Sequence, residues 1–240
     1  MKQIIYITAA LLAATACQQP TPTTVRLHGQ LTDMGTTSVT MRYDGAASLV
    51  GDSRDITLHT DADGRFDTTL TITGPTYYSI SRNTLYLTPG DDLTLRITQD
   101  NREATFSGKG AEVNNYMKYR LFPKGGSYMG EGARRADFAS TKAAIDSMAN
   151  ARRAQLDTLS EATEEFKCLE NARITADVVN SYMCYPVYSG DKSLMSEAGR
   201  DSFFLSLKDE LTAAYQSLAD DKLLDVAVVR DVMSSVVHPD

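Results

Sequence analysis

The chain's only thiols sit at Cys17, Cys168 and Cys184. A thiolate can serve as nucleophile, redox centre or metal ligand, and its spacing and surroundings decide which. Cys168 and Cys184 are sixteen residues apart, with no breaker between Asn171 and Ser181. On a single helix that separation is about 24 Å along the axis. A disulfide needs Cα atoms within about 7 Å. Two buried structural thiols are the plainest reading, and a Cys168–Cys184 disulfide requires the chain to reverse between them. No C-x-x-C occurs, so the spacing of a catalytic dithiol is missing.

Other chemistry-bearing residues are scattered. Asp61, Asp63 and Gly64 match part of a calcium loop, but Arg65 and Phe66 follow where further acidic ligands belong. A hairpin turn is the expected role. His28, His59 and His238 have no metal-ligand spacing. No serine sits in G-x-S-x-G. The glycine-rich stretch at 123–132 lacks G-K-[ST] and a strand-to-helix setting, so it is not a phosphate cradle. No catalytic residue, metal site or cofactor is assigned. Thr68, Ser147 and Thr158 each follow an aspartate and precede Thr69, Met148 and Leu159. This fits a short acidic–Ser/Thr–apolar rule for O-glycosylation in some anaerobic Gram-negative bacteria, with chance as the competing reading.

The elements that must position these residues begin with an export segment. Lys2 opens the chain, Ile4 to Ala14 is apolar, and small residues precede Cys17. A bilayer-spanning helix needs about 20 apolar residues, so this run is too short. A charged start, short apolar core and small-residue cut site are expected of a signal peptide over 1–16. Ala14-Thr15-Ala16-Cys17 resembles the lipobox of bacterial lipoproteins. That resemblance implies cleavage before Cys17 and lipid on its sulfur and amino group. Residues 17–24 then read as a polar, proline-bearing tether. Several acyl chains, at about 0.8 kcal/mol per buried methylene, would hold the protein to a membrane. With no acidic cluster after Cys17, the expected location is the cell envelope, facing the periplasm.

The whole chain carries 24 basic and 31 acidic side chains, a formal charge of −7. Losing Lys2 with the signal leaves 23 against 31, or −8. An acidic surface repels phosphate backbones, which excludes nucleic acid as an expected partner.

From residue 25 to 110 apolar and polar residues alternate. VRLHGQL, SVTMRY, ITLHT, FDTTLTI, YYSI, TLYLT, LTLRI and EATFS are separated by turn residues. Eight short strands with regular turns predict an antiparallel β-sandwich. Beyond Ala111 the spacing becomes helical. A short helix is expected over 112–120, then four more. The second of these four stops before Pro186. The third carries Phe204, Leu207, Leu211, Tyr215 and Leu218 on one face. These stripes, having no strand partner of their own, are expected to rest on the sandwich. The fold class is thus α+β, a sandwich over 25–110 followed by an α-helical region over 111–240.

The order of these signals resembles the N-terminal half of thioredoxin-like thiol-disulfide interchange lipoproteins. It rests on DADGRF at 61–66, TPGDDLTL at 88–95 and FSGKGAEVNNYM at 106–117. In that family the chemistry belongs to a C-terminal thioredoxin domain bearing W-C-x-x-C. This sequence has no tryptophan and no C-x-x-C, so the redox centre maps onto no residue here. The resemblance implies a membrane-anchored, non-catalytic module for binding or positioning. Its partners would be envelope proteins or a thioredoxin-like domain. Two alternatives stand beside it: a fragment of a complete oxidoreductase, and a glycan- or protein-binding lipoprotein of an outer-membrane system.

Overall fold

The computed structural model describes residues 23–121 and 126–237. The signal segment, Cys17, most of the tether and His238 lie outside the described residues.

Eight strands form where alternation predicts them. They are β1 (Thr24–Leu31), β2 (Ser38–Tyr43), β3 (Ile56–His59), β4 (Arg65–Thr71), β5 (Thr76–Ile80), β6 (Asn83–Leu87), β7 (Asp92–Ile97) and β8 (Thr105–Lys109). They make two four-stranded sheets, ordered β4-β1-β7-β8 and β3-β2-β5-β6. Leu27, Leu70, Leu95 and Phe106 from the first sheet share one apolar cluster with Met41, Leu58, Ile80 and Leu85 from the second.

Two features correct the sequence reading. The pairing is not wholly antiparallel: β1 runs parallel to β7, from Arg26 opposite Asp92 to Leu31 opposite Ile97. Gly29 makes this possible. It adopts φ +143°, and a Cβ there would collide with the Leu95 carbonyl oxygen. Second, the turn at Asp61–Gly64 forms, with the Gly64 amide bonded to the Asp61 carbonyl at 3.0 Å. Yet it joins no hairpin ladder, because β3 pairs with β2 and β4 pairs with β1 in the other sheet.

β5 and β6 lose the alternation of a half-exposed strand, and every residue of β6 is buried. Their two faces serve two cores. Tyr78, Ile80, Leu85 and Leu87 join the β cluster, while Tyr77 and Tyr86 join the helical one. A strand covered on both faces has no solvent side to make polar.

Six helices follow: α1 (Ala111–Met117), α2 (Phe138–Asp157), α3 (Glu164–Tyr188), α4 (Glu197–Ser206), α5 (Lys208–Leu218) and α6 (Ala227–Val237). Asp137 caps α2 and Thr163 caps α3, each side chain accepting the amide three residues on. α3 does not stop before Pro186 but runs through it. The proline falls in the last turn, where it interrupts little of the ladder. Its neighbour Tyr185 stacks on Phe203 at 5.5 Å and meets Phe138 edge-on at 4.9 Å.

The third expected helix is two. Leu207, at φ −104° and ψ 4°, separates α4 from α5. Its amide takes the Phe204 carbonyl at 3.1 Å, a tight closing turn. Leu207, Leu211 and Leu218 remain buried on one face. That face does not rest on the sheets: α5 packs on α3 and α6. The helical region therefore has its own core, with Tyr77 and Tyr86 as the wall lent by the β region.

Candidate functional site

α3 is buried almost all round, and not only by apolar residues. Phe166, Glu170, Arg173, Asp177 and Ser181 follow one another at helical spacing along one face, and all five are buried. Charged side chains are almost never fully buried unless paired, so this stripe marks the place to look for a site.

The upper part of the stripe is satisfied. Tyr77 of β5 donates its hydroxyl to Glu170 Oε1 at 2.9 Å. Arg173 donates its Nε to the same oxygen at 2.9 Å. The Arg173 guanidinium also lies 5.2 Å from the Tyr77 ring centre. Burial opposes its charge, but Glu170 and Tyr77 outweigh that and hold Arg173 above its ordinary value. At the lower end, Ser181 donates to the Asp177 carbonyl at 2.6 Å and accepts the Tyr128 amide at 2.8 Å. This fixes the turn 127–132 against α3.

Between these anchors lies a cavity of about 220 Å³, walled by α1, α2, α3 and the turns that follow α1. It is smaller than the roughly 300–1,000 Å³ of sites for drug-sized ligands. Tyr116, Tyr128 and Ile174 give it apolar walls, and Arg120, Arg152 and Asp177 give it charge. Arg152 sits 3.8 Å above the Tyr116 ring and donates to the Tyr116 carbonyl at 3.2 Å. Arg120 Nη1 and Asp177 Oδ1 are buried with no hydrogen-bond partner among the described residues. Such groups are rare because each forfeits its hydration without replacement.

The electrostatics follow from burial. Desolvation pushes the Asp177 carboxyl up to about 8, against the pull of Arg173 and Arg120. Desolvation and the nearby Arg173 bring Arg120 down to about 10, still charged at neutral pH. Burial raises Tyr116 and Tyr128 above their ordinary range. The site thus offers an arginine fork, a neutral carboxyl and aromatic walls. It can hold a small polar or anionic group; among the described residues its lining includes neither thiol, imidazole nor serine.

The residues singled out by sequence lie elsewhere. Cys168 and Cys184 share α3 and are both free, but they are not the two buried thiols expected: Cys168 is exposed and Cys184 half-buried. No reversal separates them, so the disulfide alternative is not realised. Burial raises the Cys184 thiol, which disfavours its thiolate. Thr68 is half-buried on β4, while Ser147 on α2 and Thr158 just past its end are exposed. His28 on β1 lies 3.2 Å from Asp92 Oδ1, and His59 on β3 lies 3.3 Å from the Ser38 hydroxyl. Arg120, Glu170, Arg173 and Asp177 were not among the candidates. The signal was present: polar residues at helical spacing inside a segment too apolar to be solvated. No helix among the described residues is long and apolar enough to cross a membrane.

Comparison with known families, curated proteins and solved structures gives no match to this chain.

Proposed function

We propose that the chain is a lipid-anchored, non-catalytic module of the cell envelope that binds or positions a ligand. In this reading residues 1–16 direct export and Cys17 carries the lipid. The two sheets face one another as a β-sandwich over residues 25–110. The helical region over 111–240 carries the ligand site, between α1, α2 and α3. The module is similar to the N-terminal part of a thiol-disulfide interchange lipoprotein, without that family's redox centre. The observation that supports a binding role is the cavity in which Arg120 and Asp177 remain unsatisfied. Two unpaired buried polar groups lower stability, and a ligand that completes them recovers that loss.

Metabolic labelling with a fatty acid tests the anchor. The wild-type chain should take up label and Cys17→Ser should not. Equal labelling of both overturns the envelope-anchored reading.

A further inference from the structure

We propose that the cavity beside α3 binds a small organic carboxylate, held by the Arg120 guanidinium, with its apolar body against Tyr116, Tyr128 and Ile174. This rests on the reading of the chain as a binding module and names the class of ligand.

Three observations lead there. Arg120 is 6% exposed, and its Nη1 has no acceptor among the described residues. A guanidinium presents paired N–H donors in a plane that matches a carboxylate. The charges around the cavity also favour an anion. Three arginines (120, 152 and 173) face three acids (Glu131, Glu170 and Asp177). Glu131 is paired from outside by Arg102, and Glu170 is held by Arg173 and Tyr77. Asp177 keeps its proton in this desolvated setting. The residual charge is therefore positive, from Arg120 and Arg152. Finally, a protonated Asp177 has an O–H to give. A ligand carboxylate bridging Arg120 and Asp177 would satisfy both orphaned groups at once.

The walls separate carboxylates from other anions. Tyr116, Tyr128, Leu121 and Ile174 are apolar surfaces, all buried. Inorganic phosphate leaves such walls uncovered and loses its hydration against them. A carboxylate on a short aromatic or aliphatic body fills the space with apolar contact. An amino acid would add an ammonium group beside Arg120 and Arg152, with only neutral Asp177 to receive it.

The test uses the full chain in detergent. Benzoate, butanoate, benzyl alcohol and inorganic phosphate are titrated by calorimetry and by thermal melting. Benzoate or butanoate should bind and raise the melting temperature, while phosphate and benzyl alcohol should be weaker by about tenfold or more, the worth of a charge-assisted fork. Arg120→Lys keeps the charge but loses the fork, and should weaken benzoate by about tenfold. Asp177→Asn keeps a donor and should bind within about threefold of wild type.

Benzyl alcohol binding as well as benzoate would overturn the carboxylate class while leaving a ligand site in place. Failure of both carboxylates to bind at about 10 mM would overturn the inference outright. Neither result bears on fatty-acid labelling at Cys17, so loss of the anchor and loss of the ligand are separately visible. The ligand comparison is made on the wild type and stands even if a variant fails to fold.

Discussion

The side-chain amide of Asn114 takes both backbone polar groups of Tyr86. Its Oδ1 accepts the Tyr86 amide at 2.9 Å, and its Nδ2 donates to the Tyr86 carbonyl at 3.0 Å. The same Nδ2 donates to the Gly110 carbonyl at 2.8 Å. β6 is an edge strand, and its outer polar groups would otherwise be buried unpaired against α1. Asn114 thus acts as a one-residue strand that closes the sheet and fixes where the helices begin.

Replacing Asn114 with Ala should destabilise the fold by about 2–4 kcal/mol, since buried groups lose their partners. Asn114→Asp should fare little better, because it keeps the acceptor but loses both donated bonds and buries a charge. Urea unfolding of both variants provides the check. A change within about 0.5 kcal/mol, as for a surface substitution, would show that the clamp adds nothing.

Gly29→Ala should be among the most damaging single-methyl additions, at about 3 kcal/mol or more. The position needs a positive φ and leaves no room for a Cβ beside Leu95. Gly35 also has a positive φ, but a Cβ there meets nothing within 4 Å. Gly35→Ala should therefore cost about 1 kcal/mol, the conformational share alone. Equal losses in the two variants would exclude the collision as the cause.

The raised carboxyl of Asp177 makes stability depend on pH. Its value rises from an ordinary 3.8 to about 8, so the folded chain binds a proton that the unfolded chain releases. Between these values stability falls as pH rises, and this contribution is fully present only below the lower one. Across the window the effect is on the order of a few kcal/mol. Asp177→Asn removes the titration and should flatten the profile relative to wild type. Parallel profiles from urea melts at about pH 5 and pH 8 would mean Asp177 ionises normally in the fold.

No disulfide reductase activity is expected of this chain. Cys168 and Cys184 lie on one helix with no neighbouring thiol among the described residues, and the Cys184 thiolate is disfavoured by burial. A resolving thiol has to reach a mixed disulfide, and sixteen residues of straight helix hold these two about 24 Å apart. Insulin turbidity assays should stay at background. Turnover abolished by Cys168→Ser or Cys184→Ser would reverse that conclusion.

The strands were legible because each reports its own burial through period two. Where a strand is covered on both faces, as in β6, its apolar and aromatic content marked it instead. Partner choice was not legible. Nothing local tells Gly29 that it lies against Leu95, sixty-six residues on, or tells β3 and β4 to part into different sheets. Helix positions were readable and helix ends less so. Pro186 stays helical because it falls in the last turn of α3, and Leu207 breaks a helix whose apolar stripe continues unbroken. The site residues were missed because charged side chains at helical spacing read as a solvated face until their burial is known. Glu170, Arg173 and Asp177 are all under 4% exposed.

β1 lies second in its sheet, flanked by β4 and β7, so Thr24 opens a strand in the interior of a sheet rather than at its rim. Seven residue pairs join β1 to β4 and six join it to β7. Tension applied at this end of the chain does not peel a strand from an edge one bond at a time. Where the force runs along β1 it loads both ladders, which share the strand. Along that direction resistance comes from two ladders, where an edge strand is held by one.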